Sequence, residues 1–278
     1  MLRLTTDIYR LLFARKAFYR FHKLLFHLSL RGLGVLNYEN DKLSGEDLFL
    51  RCLAETLDKK PLVLDIGANV GNYSNKIKSL RPDADIYAFE PHPKTFVQLH
   101  LEAARRGYTA INAGCGDKNE QLRLYDYEGN ANGSSHASLY SEVIEGIHKA
   151  EARSYIVDII TVDDFVSRNG IQKIHILKID TEGNELKTMK GAKKSLAEGL
   201  IDIIHFEFNE MNVVSRCFFK DFYEILPGYD FYRMFSDGLV PLGPYKPLMC
   251  ELFAYQNIVA VRADCTGLLK SRLGSVSS

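Results

Sequence analysis

Apolar residues recur at three- and four-residue steps through residues 8–29, at Ile8, Leu11, Leu12, Phe18, Phe21, Leu25 and Leu28, and no glycine or proline intervenes before Gly32. This spacing lines one side of a helix and predicts a single amphipathic helix there, closed by Gly32 and Gly34. A shorter helix is expected over 46–57, with Leu48, Leu50, Leu53 and Leu57 as its buried stripe. From Pro61 the rhythm changes to short apolar runs alternating with helical patterns. The runs are 62–66, 85–89, 110–112, 174–179 and 201–208; the helices follow Gly71 and cover 93–106 and about 184–197. Strands alternating with helices imply βαβ units, hence an α/β chain with a mainly parallel sheet covered on both faces. Residues 121–161 break that rhythm with two strand-like runs, 122–127 and 155–161, around a Gly/Asn/Ser segment, and read as an insertion on the functional rim. Runs at 229–234 and 257–261 look like a closing antiparallel pair.

Three units follow: a basic amphipathic helical extension over 1–58, an α/β domain over 59–265 and a polar tail over 266–278. With 278 residues, 46% of them apolar and 25% charged, the chain can bury a core without disulfide or metal support. Lys+Arg and Asp+Glu both number 35, so a dominant nucleic-acid field is not expected. The balance is local, however. Residues 1–36 hold seven Arg and Lys against Asp7 alone. Such a helix suits packing on the main domain or a second subunit, or lying on an anionic membrane surface. The five cysteines are scattered without a C-x-x-C pair, and charges interrupt the N-terminal apolar pattern; both place the chain in the cytoplasm, with membrane-peripheral attachment as the alternative.

An acid stands at or just beyond one strand end after another: Asp65, Glu90, Asp117, Asp180 and Glu207. Ligands of open α/β sheets bind at those ends, so a site of negative potential is forecast. The stretch Asp65-Ile66-Gly67-Ala68-Asn69-Val70-Gly71 follows a strand and opens a helix. Gly67 permits a tight turn, Asn69 tolerates left-handed backbone, and Gly71 permits close helix packing. A dinucleotide lays its pyrophosphate on such a loop and helix N-terminus, and Asp65 would repel it. S-adenosylmethionine carries an ammonium and a sulfonium and no phosphate, so the acids favour it. Glu90, at the next strand end, stands where a carboxylate accepts from ribose hydroxyls.

These residues, with Phe89-Glu90-Pro91, Val162-Asp163-Asp164-Phe165 and the run LKIDTEGNELKTMKGA from Leu177 to Ala192, resemble the FkbM-type S-adenosylmethionine-dependent methyltransferases over about residues 60–262. The resemblance implies a Rossmann-like class I methyltransferase fold with a seven-stranded sheet, and O-methylation of hydroxyls on sugars, glycans, glycolipids or secondary metabolites. It further implies that Asp65, Gly67, Asn69 and Gly71 hold the methionine part of the cofactor, Glu90 the ribose, and that Asp117 lies near the adenine.

Methyl transfer to a hydroxyl needs alignment of two partners and a base for the leaving proton. Asp180 and Glu182 are the first candidates for that base, Asp180 being a candidate cofactor contact as well, and His136, in the hydroxyl-rich loop with Ser135, is another. Ser135 and Glu207 are candidate acceptor contacts, whereas His205, alternating with Phe206, reads as a core histidine and Glu185 as a helix-start acid. Asp180, Glu182 and Glu207 are also of the type that gathers a divalent cation, but no ligand spacing demands one and none is expected. The segment Asp180-Thr181-Glu182-Gly183 lacks the Asn/Asp-Pro-Pro-aromatic pattern of base-amine methyltransferases, so a nucleic-acid partner is not expected. The alternatives are a methyltransferase acting on a protein or RNA group, and a cofactor-binding scaffold without catalysis.

Overall fold

The computed structural model describes residues 2–127, 138–139 and 152–267. Its chain begins with helices α1 (Leu2–Phe13), α2 (Tyr19–Gly32), α3 (Asp41–Ser44) and α4 (Glu46–Thr56). Then come β1 (Leu62–Ile66), α5 (Asn72–Leu80), β2 (Asp85–Phe89), α6 (Pro93–Arg106), β3 (Thr109–Ile111), β4 (Gly114–Cys115), β5 (Glu120–Tyr127) and β6 (Ala152–Ile160). The remainder is α7 (Val162–Asn169), β7 (Ile174–Ile179), α8 (Glu185–Lys190), α9 (Lys193–Ala197), β8 (Ile201–Phe208), α10 (Met211–Val214), α11 (Phe219–Ile225), β9 (Tyr229–Phe235), β10 (Gly238–Pro241), α12 (Pro247–Cys250) and β11 (Gln256–Arg262).

Eight strands form one sheet in the order β10-β9-β11-β8-β7-β1-β2-β3. The strands from β8 to β3 pair in parallel, while β11 runs antiparallel to both β8 and β9. The expected closing pair is therefore present. The sheet has eight strands rather than seven because β9 turns back into the short antiparallel β10. The rim insertion becomes a separate three-stranded sheet, β4-β6-β5.

Alternation along each strand divides the core. Leu64, Ile66, Ile204, Phe206, Ile258 and Ala260 face α7, α8 and α11, with Phe165, Met189 and Phe222 packed over them. Val63, Ile176, Ile203, Val259 and Val261 face the other way, under Phe49, Leu50 and Leu53 of α4 and Tyr73 and Ile77 of α5. On that second face the pattern turns polar near the strand ends. Asp65 lies opposite Lys178, and Lys178 opposite His205, in consecutive registers across β1, β7 and β8.

Two expected helices are each broken. The first divides at residues 14–18, because Arg15 is extended and its guanidinium folds back onto the Leu11 carbonyl. Tyr9, Phe13, Phe18 and His22 close the elbow through aromatic contacts, with Tyr9 Oη 3.2 Å from His22 Nδ1. The helix expected over 184–197 divides at Gly191, where a Cβ would lie 1.9 Å from the Gly116 carbonyl oxygen. The chain yields there to the turn after β4.

Candidate active site

The loop after β1 is fastened on three sides. The amides of Gly67 and Ala68 donate to the Phe89 carbonyl, and the Asn69 amide donates to Glu90 Oε2 at 2.9 Å. The amide of Asp180 donates to the Ile66 carbonyl. The loop thus lies so close to the end of β7 that a Cβ on Gly67 would come within 1.7 Å of the Asp180 carbonyl oxygen. Asn69 has φ +51°, the left-handed geometry expected of it, and Gly71 opens α5 at φ +88°. With Gly67, Ala68 and Asn69 amides already engaged, this loop is not a cradle for pyrophosphate.

Glu90 is buried, its Oε1 accepting from the His92 amide at 2.8 Å while Oε2 holds Asn69. Burial pushes its pKa up to about 7, against the lowering effect of those two amides. Asp65 does not stand on the rim. It is buried beneath the loop, accepting from Ser74 Oγ at 2.6 Å, and burial raises its pKa to about 6. Its carboxylate is bonded to Ser74 of α5 and lines neither cleft described below. Asp117 is exposed and is not among the residues lining either cleft described below.

Two clefts meet at the carboxyl ends of β1 and β7. The first, of about 570 Å³, is lined by Gly67, Asn69, Glu90, Cys115, Asp180, Glu182 and Asn184, with Leu124, Leu139 and Ile159 from the insertion. The second, of about 1080 Å³, is lined by Leu36, Tyr38, Glu207, Asn209, Glu210, Met211 and Tyr255. Gly67, Asn69, Asp180 and Glu182 belong to both. Ser135 and His136 lie outside the described residues. Nearby, Ser138 Oγ donates to the Glu182 carbonyl at 2.8 Å, so the insertion does reach the site.

The turn carrying Asp180 and Glu182 is held by a third acid. Glu185 is buried, and its Oε1 accepts from the Thr181 amide, the Thr181 hydroxyl and the Gly183 amide. Glu182 is thereby kept at φ +52°, a geometry uncommon for a residue with a side chain. Glu207 is half-buried, and its pKa is raised well above the ordinary range by burial first and by the charge of Asp180 second.

Lys178 was not among the residues singled out from the sequence. It is buried, its Nζ 3.3 Å from Asp180 Oδ2 and 5.6 Å from the Tyr73 ring centroid. Burial pulls its pKa down, but Asp180, Glu207 and Glu46 outweigh that and the net shift is upward. A lysine inside the apolar run Ile-His-Ile-Leu-Lys-Ile was the available signal, since a cation buried in a strand needs carboxylates around it. His205 is a core histidine as expected, between Tyr73 Oη and Asn257 Oδ1. Asn184 was also missed. It lines the first cleft, donates through Nδ2 to the Cys115 carbonyl, and has Oδ1 buried without a hydrogen-bond partner among the described residues.

The family model for the methyltransferase FkbM domain matches residues 65–232. The chain belongs to the FkbM methyltransferase family. It is 29% identical over 157 residues to the hexuronic acid methyltransferase AglP of Haloferax volcanii, covering 55% of this chain and 59% of that one. It is 23% identical over 209 residues to the 2-O-methyltransferase NoeI of Sinorhizobium fredii, covering 68% and 81%. The match to AglP therefore spans about three fifths of that relative. The crystal structure of methyltransferase FkbM from Methylobacillus flagellatus superposes with a TM-score of 0.45 at 13% identity, covering 72% of this chain and 43% of that one. Family and strand order make this a class I methyltransferase fold, and the family implies S-adenosylmethionine as donor. The residues present fit that donor: the first cleft offers carboxylates and the unpartnered Asn184 oxygen to a cationic, amine-bearing ligand, and no amide cradle for phosphate. Among the described residues no three His, Cys, Asp or Glu side chains gather as a metal centre.

Proposed function

We propose that this protein methylates a hydroxyl of a sugar, in a glycan, a glycolipid or a secondary metabolite, using S-adenosylmethionine. The observation that carries the reading is the junction of the two clefts. The smaller has the carboxylates and orphaned acceptor suited to the donor; the larger takes the acceptor; Asp180 and Glu182 line both. The relatives, a hexuronic acid methyltransferase and a 2-O-methyltransferase by name, support sugar hydroxyls as well.

When bound, the donor supplies an electrophilic methyl group on a sulfonium. Each residue then has a task. Glu90, Asn69 and Asn184 orient the donor, and Gly67 keeps the loop near Asp180. Asp180 or Glu182 takes the proton of the acceptor hydroxyl, since an alcohol is a weak nucleophile until a base engages it. Lys178, 3.3 Å from Asp180, keeps that carboxylate in place, while Tyr38, Glu207 and Tyr255 offer a mixed aromatic and acidic wall suited to a polyol. Asp117, His136 and Ser135 remain candidates for adenine, base and acceptor contacts on the resemblance and the sequence alone.

The test is a pair of substitutions with separate readouts. Asp180→Asn and Glu182→Gln should hold S-adenosylhomocysteine within a few-fold by calorimetry, while whichever is the base loses about 10²–10⁴ in kcat. Turnover unchanged from the unsubstituted protein in both would remove them from the chemistry. Activity should survive EDTA; its loss would revive a cation among Asp180, Glu182 and Glu207.

A further inference from the structure

More than half of the exposed large apolar side chains in the described residues lie within residues 4–33, although that segment contributes little to the core. They are ordered. On α2, Phe21, Leu24, Leu25 and Leu28 follow steps of three, one and three along one side, while Arg20, Lys23, His27 and Arg31 follow steps of three and four along another. Leu24 is 56% exposed and Leu28 57%. On α1, Leu4, Ile8, Leu11 and Leu12 make a similar exposed stripe.

We propose that α1 and α2 seat this protein on an anionic bilayer surface, apolar stripes at the acyl boundary and basic side chains among the head groups. Charge decides between the two occupants such a face could take. An isologous dimer would press the segment against itself, and with seven Arg and Lys against Asp7 that juxtaposes two strongly positive patches. An anionic surface attracts the same charges, and interfacial helices have this mixture of aromatic, leucine and basic residues. Neither helix is long and apolar enough to cross a membrane.

The segment also has a fixed relation to the site. Leu30 in the last turn of α2 and Val35 just beyond it are buried, the Leu33 carbonyl accepts from Arg233 Nη1, and the Leu36 amide donates to the Tyr255 carbonyl at 2.7 Å. Leu36 and Tyr38 then wall the larger cleft. Four residues from the end of α2 to that wall span at most about 14 Å. A bilayer under α2 therefore lies close to the mouth read above as the acceptor pocket; that placement rests on the proposed function, whereas the seating does not.

Flotation of the full chain with phosphatidylcholine vesicles, with and without phosphatidylglycerol, tests the seating. Binding to the anionic vesicles should exceed binding to the neutral ones by about tenfold or more and weaken in high salt. The double substitution L24E/L28E, at exposed positions, should reduce it by at least about tenfold. Leu248→Glu, exposed elsewhere on the surface, should leave it unchanged. S-adenosylhomocysteine binding, measured on the same proteins, should be equal in all three, so a failed methyltransferase reading is distinguishable from failed seating. Absence of flotation with either vesicle overturns the proposal. So does unchanged flotation of L24E/L28E, or a concentration-dependent dimer that the same pair of substitutions dissolves without any vesicle binding.

Discussion

Burial decides the protonation of Asp65 and Glu90. Both carboxyls sit well above their unfolded values, at about 6 and about 7. The folded protein therefore holds more protons than the unfolded chain between about pH 4 and 7. Stability should be fullest below that window and fall as pH rises through it, by about 3 kcal/mol for each group. Thermal midpoints measured from pH 4.5 to 8 should show that slope, and Glu90→Gln should remove part of it. On the proposed role of Glu90 as the ribose acceptor, cofactor affinity moves oppositely, since hydroxyls donate best to an ionised carboxylate: it should rise toward pH 7 and then level off, and the Gln variant should flatten the curve. Lys178 belongs at the same scale. Lys178→Met leaves Asp180, Glu207 and Glu46 uncompensated and should cost about 3 kcal/mol in urea unfolding. Glu90 and the loop glycines stood out through strand-end acids and the motif resemblance, glycine spacing alone being a weak signal. Lys178 and Asn184 did not, because their meaning depends on registers and cavities that single-residue patterns do not carry.

Among the elements, the loop after β1 and the turn after β7 act as one piece, joined by the Asp180 amide and by the fit of Gly67 against the Asp180 carbonyl. Gly67→Ala should therefore displace Asp180 and weaken donor binding and turnover together. Gly191 differs, having φ −73°, which any residue adopts. Gly191→Ala should cost about 1–3 kcal/mol through contact with Gly116 alone, read as a lower urea midpoint with donor affinity in the refolded protein kept. The central strands followed from short apolar runs buried on both faces, and the α4–α6 helices from apolar stripes that bury one face, whereas the short β4 and β10 did not stand out. The two helix breaks did not follow from such patterns. The elbow closed by ring packing at Tyr9 and His22 is a tertiary event with no local punctuation, whereas at Gly191 the glycine was a local signal whose effect depends on the crossing with Gly116.

For the whole molecule, the parallel order β8-β7-β1-β2-β3 brings acids that are far apart in sequence to one end of the sheet. The rim of five acids forecast from strand ends becomes a more differentiated site. Asp65 is buried against Ser74 of α5, Glu90 straps the loop, Asp180 and Glu207 face the clefts, and Asp117 stands outside them. On the proposed function, what selects the donor is the combination of carboxylates with loop amides already bonded to Phe89 and Glu90. Titration calorimetry reads this claim directly. S-adenosylmethionine and S-adenosylhomocysteine should each bind one per chain, Glu90→Ala should weaken both, and NADH should give no heat. Tight NADH binding with none of either adenosyl compound would contradict it.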